Sequence, residues 1–426
     1  MTPKDTVLSG PGASADQLAV RRHNLSLVLS HLRQSGPRSR ARVASETGLN
    51  KATVSSLVAE LVGRGLVAEG EPERGGVGRP GQSIGLDGRH HVAIGAEINI
   101  DYVSVLAMNV QGEVAAERRV ALDAAHMGST PVLSQLATEI NELTASLRAG
   151  GASPVGLTVA VPGLVESATG TVFEAPNLGW RRTSILDDLG ALLHDPTYPV
   201  RLDNEANLAA LAELAARGAD EATDLLLLTG AVGVGGGVVT DGQLLRGGQG
   251  FAGEVGHMKV QPDGKRCGCG RHGCWETVVG LNALLARAAD PEDPVRNPSL
   301  DVVQRLEEVV ARATAGDART IEAITDTGRW LATGAGILVN VFNPEVLVLG
   351  GYFAALGPWL AGPLEEELPR QVFAPEAGGC RVELSTLGFS AAVRGGALQA
   401  LSSLFADPTL VDAAPTSAAA EEGAVS

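Results

Sequence analysis

The residues from Gly253 to Glu276, GEVGHMKVQPDGKRCGCGRHGCWE, contain three of the chain's four cysteines. Cys267, Cys269 and Cys274 follow His257 closely in the chain. Thiolates and neutral imidazole are the ligand types zinc prefers, and four of them close a tetrahedral structural site. His257, Cys267, Cys269 and Cys274 are therefore candidate ligands, and Zn2+ is the candidate ion. Gly268, Gly270 and Gly273 allow turns tight enough to bring closely spaced sulfurs onto one ion. Two alternatives stay open on the residues alone: a disulfide loop, and His272 in place of His257. Glu254 and Glu276 flank the segment. A metal there would hold two acidic side chains at fixed positions.

The elements that position these groups belong to a chain of 426 residues, long enough for two or three domains. Hydrophobic residues make up 44% and charged residues 19%, a globular balance that excludes a disordered chain. There is no apolar run long enough to span a membrane, and the first residues lack an apolar signal core. We expect no membrane partner and a cytoplasmic location, where thiols stay reduced and a cysteine cluster reads as metal-binding. The net charge is −16, unevenly spread. Residues 1–90 hold 12 of the 33 basic and only 8 of the 49 acidic residues. A basic module on an acidic body suits a front end that meets a polyanion.

The front end reads as a DNA-binding module over residues 18–90, after a flexible lead at 1–17. Leu25, Val28, Leu29 and Leu32 share one helical face. Gly36-Pro37 ends that helix. Ser39 can cap a short helix over 40–46, which carries Arg40. Gly48 makes a turn, and Asn50 caps a third helix that buries Val54, Leu57, Val58 and Leu61. The outer face of that helix shows Lys51, Thr53, Ser55 and Ser56, short polar side chains that suit a major groove. Two strands follow, Leu66 to Glu69 and Gln82 to Leu86. Between them a glycine-rich wing carries Arg74 and Arg79, which could enter an A/T-rich minor groove. The order is that of a winged helix-turn-helix. A protein-docking module of the same shape is the alternative.

From His91 the texture becomes α/β. Three strands, a helix over 131–148 and a buried strand over 154–165 recur in outline after Asp224, with a hairpin at Asp241-Gly242 and helices over 300–316 and 318–340. This repeat predicts two lobes with a cleft between them, residues 91–202 and 203–389. A last helix over 390–405 returns to the first lobe, and 407–426 read as a disordered tail.

The segment GQGFAGEVGHMKV followed by CGCGRHGCWE resembles the signature of the ROK family (repressors, open reading frames, kinases). The resemblance covers residues 18–405 and extends to its transcriptional regulators. It implies an α/β fold: an N-terminal winged helix-turn-helix plus a two-lobed actin-like ATPase (ribonuclease H-like) sugar-kinase body. It also implies zinc on His257 and the three cysteines. A sugar in the cleft would be held by Asn204, Glu205, Glu254, His257 and Glu276, with Gly163 and Asn177 lining it. Sugar hydroxyls both donate and accept, so a dense set of fixed carboxylates and amides suits them. Taken alone, Asn204 and Glu205 could be no more than a helix N-terminus.

The family's kinases use an aspartate as general base, a phosphate loop with paired glycines, and a second glycine loop. Here the base position holds Glu205, one methylene longer. The phosphate loop reads Glu97-Ile98-Asn99-Ile100-Asp101, with side chains and charge where backbone N–H groups should close on phosphate. The run Gly233 to Gly237 survives, and it serves equally as a tight hinge. The expectation is therefore not an enzyme but a sugar-responsive DNA-binding regulator, more a repressor than an activator. It would act as a homodimer or homotetramer on a palindromic, A/T-rich operator. An active ATP-dependent sugar kinase carrying a DNA module is the competing reading.

Overall fold

A computed structural model describes residues 12–72, 82–194, 196–217, 222–376 and 380–412. The wing tip with Arg74 and Arg79, the first eleven residues and everything beyond 412 lie outside the described residues.

The front end is three helices, Gly12–Ser35, Arg40–Thr47 and Lys51–Gly63, on a small sheet. The expected apolar faces meet in one core: Leu25, Val28, Leu29 and Leu32 against Val43, Val54, Leu57, Val58 and Leu61. Gly48 makes the turn in the left-handed region, φ 75°, where a Cβ would be strained. The Asn50 side chain accepts from the Thr53 N–H at 2.8 Å and caps the third helix. Ser39 stands at the N-cap of the middle helix without a side-chain cap bond. The first helix begins at Gly12, so six residues expected in the flexible lead are helical. Ala13, Ala15 and Gln17 are good helix formers that carry it back. Strands Val67–Pro72 and Gln82–Leu86 pair antiparallel, and Arg38–Ser39 pairs with the second of them.

The body is built on two five-stranded sheets of identical connectivity. The first runs Val200–Asn204, Ser153–Val161, His91–Ile98, Tyr102–Asn109, Val114–Ala121. The second runs Arg381–Leu384, Val346–Gly351, Leu225–Gly230, Val234–Thr240, Gln243–Leu244. In each, an antiparallel meander is extended on one side by parallel strands. The central strands are apolar without alternation, as strands covered on both faces must be.

Helix Ala391–Ala406 lies between the lobes. Two glycines make the fit. A Cβ at Gly95 on the first sheet would come within 1.8 Å of the Val393 carbonyl oxygen. A Cβ at Gly395 would come equally close to the carbonyl of Leu208, on helix Glu205–Ala215. The same helix reaches the front end: Val393, Ala397, Leu401 and Phe405 share a core with Leu25, Leu29 and Leu32. No helix among the described residues is long and apolar enough to cross a membrane.

Candidate functional site

The segment after Gly253 folds into a compact loop that gathers its donors. One ligand atom from each of His257, Cys267, Cys269 and Cys274 lies within 4.8 Å of the others. Cys269 and Cys274 sulfurs are 3.6 Å apart, and Cys267 Sγ is 3.5 Å from His257 Nδ1. Two zinc–thiolate bonds at a tetrahedral angle place their sulfurs about 3.8 Å apart, so the spacing fits a shared ion. All four cysteines are free thiols, which removes the disulfide loop. His272 turns its Nδ1 to the Gly264 carbonyl and stands outside the cluster. The turn depends on Gly273, φ 74°, where a Cβ would sit 1.6 Å from the Gln261 carbonyl oxygen. Trp275, fully buried, anchors the loop to helix Ala318–Phe342. It donates from Nε1 to the Trp330 carbonyl at 2.8 Å and packs on Gly334.

This anchoring fixes Glu276, the next residue. Its Oε1 is 2.8 Å from Cys267 Sγ and 3.6 Å from His257 Nδ1. Its other oxygen faces Gly233, where a Cβ would be only 2.7 Å away. Thus one oxygen faces the donor cluster and the other the interlobe cleft. His257 Nε2 lies 4.0 Å from Glu254.

The structure brings Gly163, Asn177, Asn204, Glu205, Glu254, His257 and Glu276 to that one cleft. Asn204 serves two ends. Its Oδ1 accepts from the N–H groups of Ala206 and Asn207, so it is the helix cap, and its Nδ2 donates to the Gly163 carbonyl. Glu205, on the first turn, is half-buried, but its Oε2 is enclosed and has no hydrogen-bond partner among the described residues. Burial, then the charge of Glu254, push its pKa well above the ordinary carboxylate value. Glu254 is also shifted upward, by burial first; His257 opposes this and Glu276 adds to it.

The glycine run at 233–237 is explained by packing. A Cβ at Gly235 would meet Ala206, one at Gly236 would meet Val255, and one at Gly237 would meet Ala210. The run lets strand Val234–Thr240 lie directly on helix Glu205–Ala215. The Glu97 segment likewise closes on itself. Glu97 accepts from Asn99 Nδ2 and the Tyr102 hydroxyl, both at 2.9 Å. Burial raises its pKa to about 7, against those two hydrogen bonds. Asp101 pairs with Arg305 at 3.1 Å inside the protein, and burial lifts it to about 6.

Several cleft residues were not singled out as sugar contacts from the sequence: Glu97 and Tyr102 from the first sheet, Thr229 from the second, and Phe389, Ala391 and Ala392 from the C-terminal helix and its approach. Tyr102 carries the one signal that could have found it, an aromatic directly after the segment Glu97 to Asp101. The helix residues carry none, since tertiary packing alone brings them there. Among the described residues, no lysine or arginine lines the cleft.

Glu205 supplies a direct test of the cleft's electrostatics. A raised pKa means the folded state holds the proton more tightly than the unfolded chain. The group's contribution is then present at low pH and lost as pH rises from the ordinary carboxylate value through the folded one. Glu205→Gln should therefore raise the Tm of the ligand-free chain at pH 8, and by much less at pH 5. Melting curves at the two pH values check this; an equal change at both would show a hydrated carboxylate.

On the front end, Lys51, Ser55 and Ser56 are exposed on helix Lys51–Gly63 and Thr53 is half-buried. Ser55 donates to the Lys51 carbonyl at 2.9 Å. Arg40 pairs with Glu69 through one guanidinium nitrogen.

The ROK family model matches residues 93–402, the body with its cleft and cysteine loop. The MarR family model matches residues 26–76, the helical front end. The chain is 28% identical to the xylose repressor of Bacillus spizizenii over 385 residues, 89% of this chain and 95% of that one. It is 29% identical to a glucokinase of Halalkalibacterium halodurans over 310 residues, 71% of this chain and 93% of that one. A crystal structure described as a ROK family transcriptional regulator, homolog of the E. coli MLC protein, superposes with TM-score 0.72 at 25% identity, covering 91% of this chain and 97% of that one. With more than half its length matched from the strand that opens the body to the helix that closes it, the chain belongs to the ROK family.

Proposed function

We infer that this chain is a sugar-responsive DNA-binding repressor whose body binds an uncharged sugar and does not phosphorylate it. The observation that carries the reading is the cleft itself. Carboxylates and amides converge there beside a fixed donor cluster, on a body joined through one core to a winged helix-turn-helix. Similarity to the xylose repressor over both parts supports it.

Zn2+ on His257, Cys267, Cys269 and Cys274 would supply a rigid tetrahedral node, with no open position for chemistry. The chain's own residues do the recognition. Glu276, Glu254, Glu205 and Asn204 would bind hydroxyls, with Asn177 and Gly163 completing the wall. His257, ligating through Nδ1, keeps Nε2 for a hydroxyl. A site built to pair each hydroxyl rejects the epimer that leaves partners buried and unpaired. The absence of a basic residue from the described lining disfavours sugar phosphates there, since their charge would meet only carboxylates.

Two features support binding without catalysis. Glu97, Asn99 and Tyr102 fill the altered phosphate loop with a closed hydrogen-bond network. Within the glycine run, Gly235 and Gly237 are accounted for by packing on helix Glu205–Ala215 and Gly236 by packing on Val255. The glucokinase relative favours a second reading, an active kinase. Sugar-dependent ATP turnover by the purified chain would establish it.

Lys51, Thr53, Ser55 and Ser56 would read the major groove, with Arg40, Arg74 and Arg79 on phosphates or the minor groove. Two copies would face the half-sites of a palindromic, A/T-rich operator as a homodimer, or as part of a homotetramer. The cytoplasm, where thiols stay reduced, is the compartment this requires. Sugar acts only as far as it binds the operator-competent and released forms differently. A gel shift tests this: operator affinity should change with one neutral monosaccharide and stay unchanged with its epimer. A response to no sugar in a broad panel would overturn the reading.

A further inference from the structure

A second cavity, of about 320 Å³, lies apart from the cleft, where four elements meet. Arg33 reaches it from the last turn of the first helix of the front end. Gln111 and Gly112 come from a hairpin turn of the first sheet. Ala212 and Ala215 come from helix Glu205–Ala215, and Arg394 from helix Ala391–Ala406. Arg394 lies one helical turn along from Ala391, which lines the cleft.

The two arginines are unusual for this junction. Neighbouring cations have carboxylate partners: Arg22 with Asp407, Arg64 with Glu60, Arg217 with Glu383. Neither Arg33 nor Arg394 has an acidic partner among the described residues. The Arg394 Nε is buried without a hydrogen-bond acceptor. The Arg33 guanidinium lies 4.6 Å from the centre of the Phe405 ring, and desolvation lowers its pKa. The carboxylates nearest in the chain to the lining residues are engaged elsewhere. Glu213 accepts from Ser385, and Glu113 from Asn109. Desolvating a cation without a counter-charge is costly, and the cost falls when an anion arrives. Guanidinium groups match phosphate oxygens with paired N–H donors.

We propose that this cavity binds a small phosphate ester, held between Arg33 and Arg394, and that the bound anion fixes the DNA-reading module against the helix that borders the sugar cleft. The site is independent of the cleft. It would give the protein a second input, separating a phosphorylated metabolite from the neutral sugar by charge alone. A restraint there acts on operator affinity, because Arg33 belongs to the reader and Arg394 to the body.

The test is a thermal-shift titration of the full, metal-loaded chain with inorganic phosphate and with glucose 6-phosphate. Ionic strength is held constant with chloride, and glucose is the neutral control. A ligand that binds only the folded form raises Tm saturably. We expect a saturable rise with both anions, and a loss of at least about tenfold in apparent affinity in Arg394→Gln and in Arg33→Gln, as for a lost charge-assisted pair. Arg394→Lys keeps the charge without the fork and should fall in between; it also serves if a glutamine variant melts without cooperativity. The response to neutral sugar should be unchanged in every variant. No saturable rise in the wild type, or an equal rise in the arginine variants, overturns the proposal. A rise with glucose 6-phosphate that disappears in Glu276→Gln would place that anion in the cleft and overturn it as well.

Discussion

Glu276→Gln should move the sugar response of operator binding to sugar concentrations on the order of 10–100-fold higher while leaving affinity for the operator within about twofold, as for a substitution far from the contact surface. The residue sits on the loop held by Trp275, one oxygen toward the donor cluster and one toward the cleft. Glutamine keeps the shape and removes the charge. A hydrogen bond to a charged group contributes about 1.5–3 kcal/mol, which is on the order of 10–100-fold in sugar Kd. The front end has a separate core contact with the body through Leu25, Leu29, Leu401 and Phe405, so its fold does not depend on this carboxylate. Calorimetric sugar titration beside an operator gel shift separates the two effects. Loss of both together would mean the substitution unfolds the loop and not merely the contact.

The part of this site that could be read in advance was the part written in local spacing. The His257 and cysteine pattern points to a shared ion, and of the three glycines between the cysteines Gly270 and Gly273 take the left-handed turn conformation while Gly268 does not. Helix ends set by caps were equally legible, with Asn50 and Asn204 both capping. Asn204 is a cap, as its place before the helix allows, and its nitrogen also donates to the Gly163 carbonyl. What stayed hidden was side-chain pairing within a segment and contacts between distant elements. The resemblance implies paired glycines near 97–101, and the sequence has Glu97-Ile98-Asn99-Ile100-Asp101 there. That difference did not show that Glu97 turns back onto Asn99 and Tyr102. Phe389 and Ala391 enter the cleft because Gly95 and Gly395 admit helix Ala391–Ala406 between the lobes, a contact across most of the chain length. The start of the first helix was misplaced because small residues before Leu18 read as a lead, while their helix propensity allows continuation to Gly12.

Removing the metal should have the largest effect on the body. An ion bound only by the folded state at about 1,000 times its Kd contributes about 4 kcal/mol. Stripping the reduced chain with a chelator should therefore lower its Tm by on the order of 10 °C for a lobe of this size. Sugar binding should vanish with it, because Glu276 and His257 lose their common anchor. Trp275 is fully buried beside Cys274, so its fluorescence should shift to the red as the loop opens. Adding back one equivalent of Zn2+ should restore all three signals together. Recovery of Tm without recovery of sugar binding would detach the metal from recognition.

The most direct measurement is calorimetric titration of neutral monosaccharides into one preparation of the full chain, zinc-loaded and zinc-stripped. The account predicts one saturable site per chain for one sugar in the loaded protein, its epimer at least about 100-fold weaker, and no binding in the stripped protein. Equal binding with and without the ion, or no heat from any sugar in the loaded protein, would contradict it.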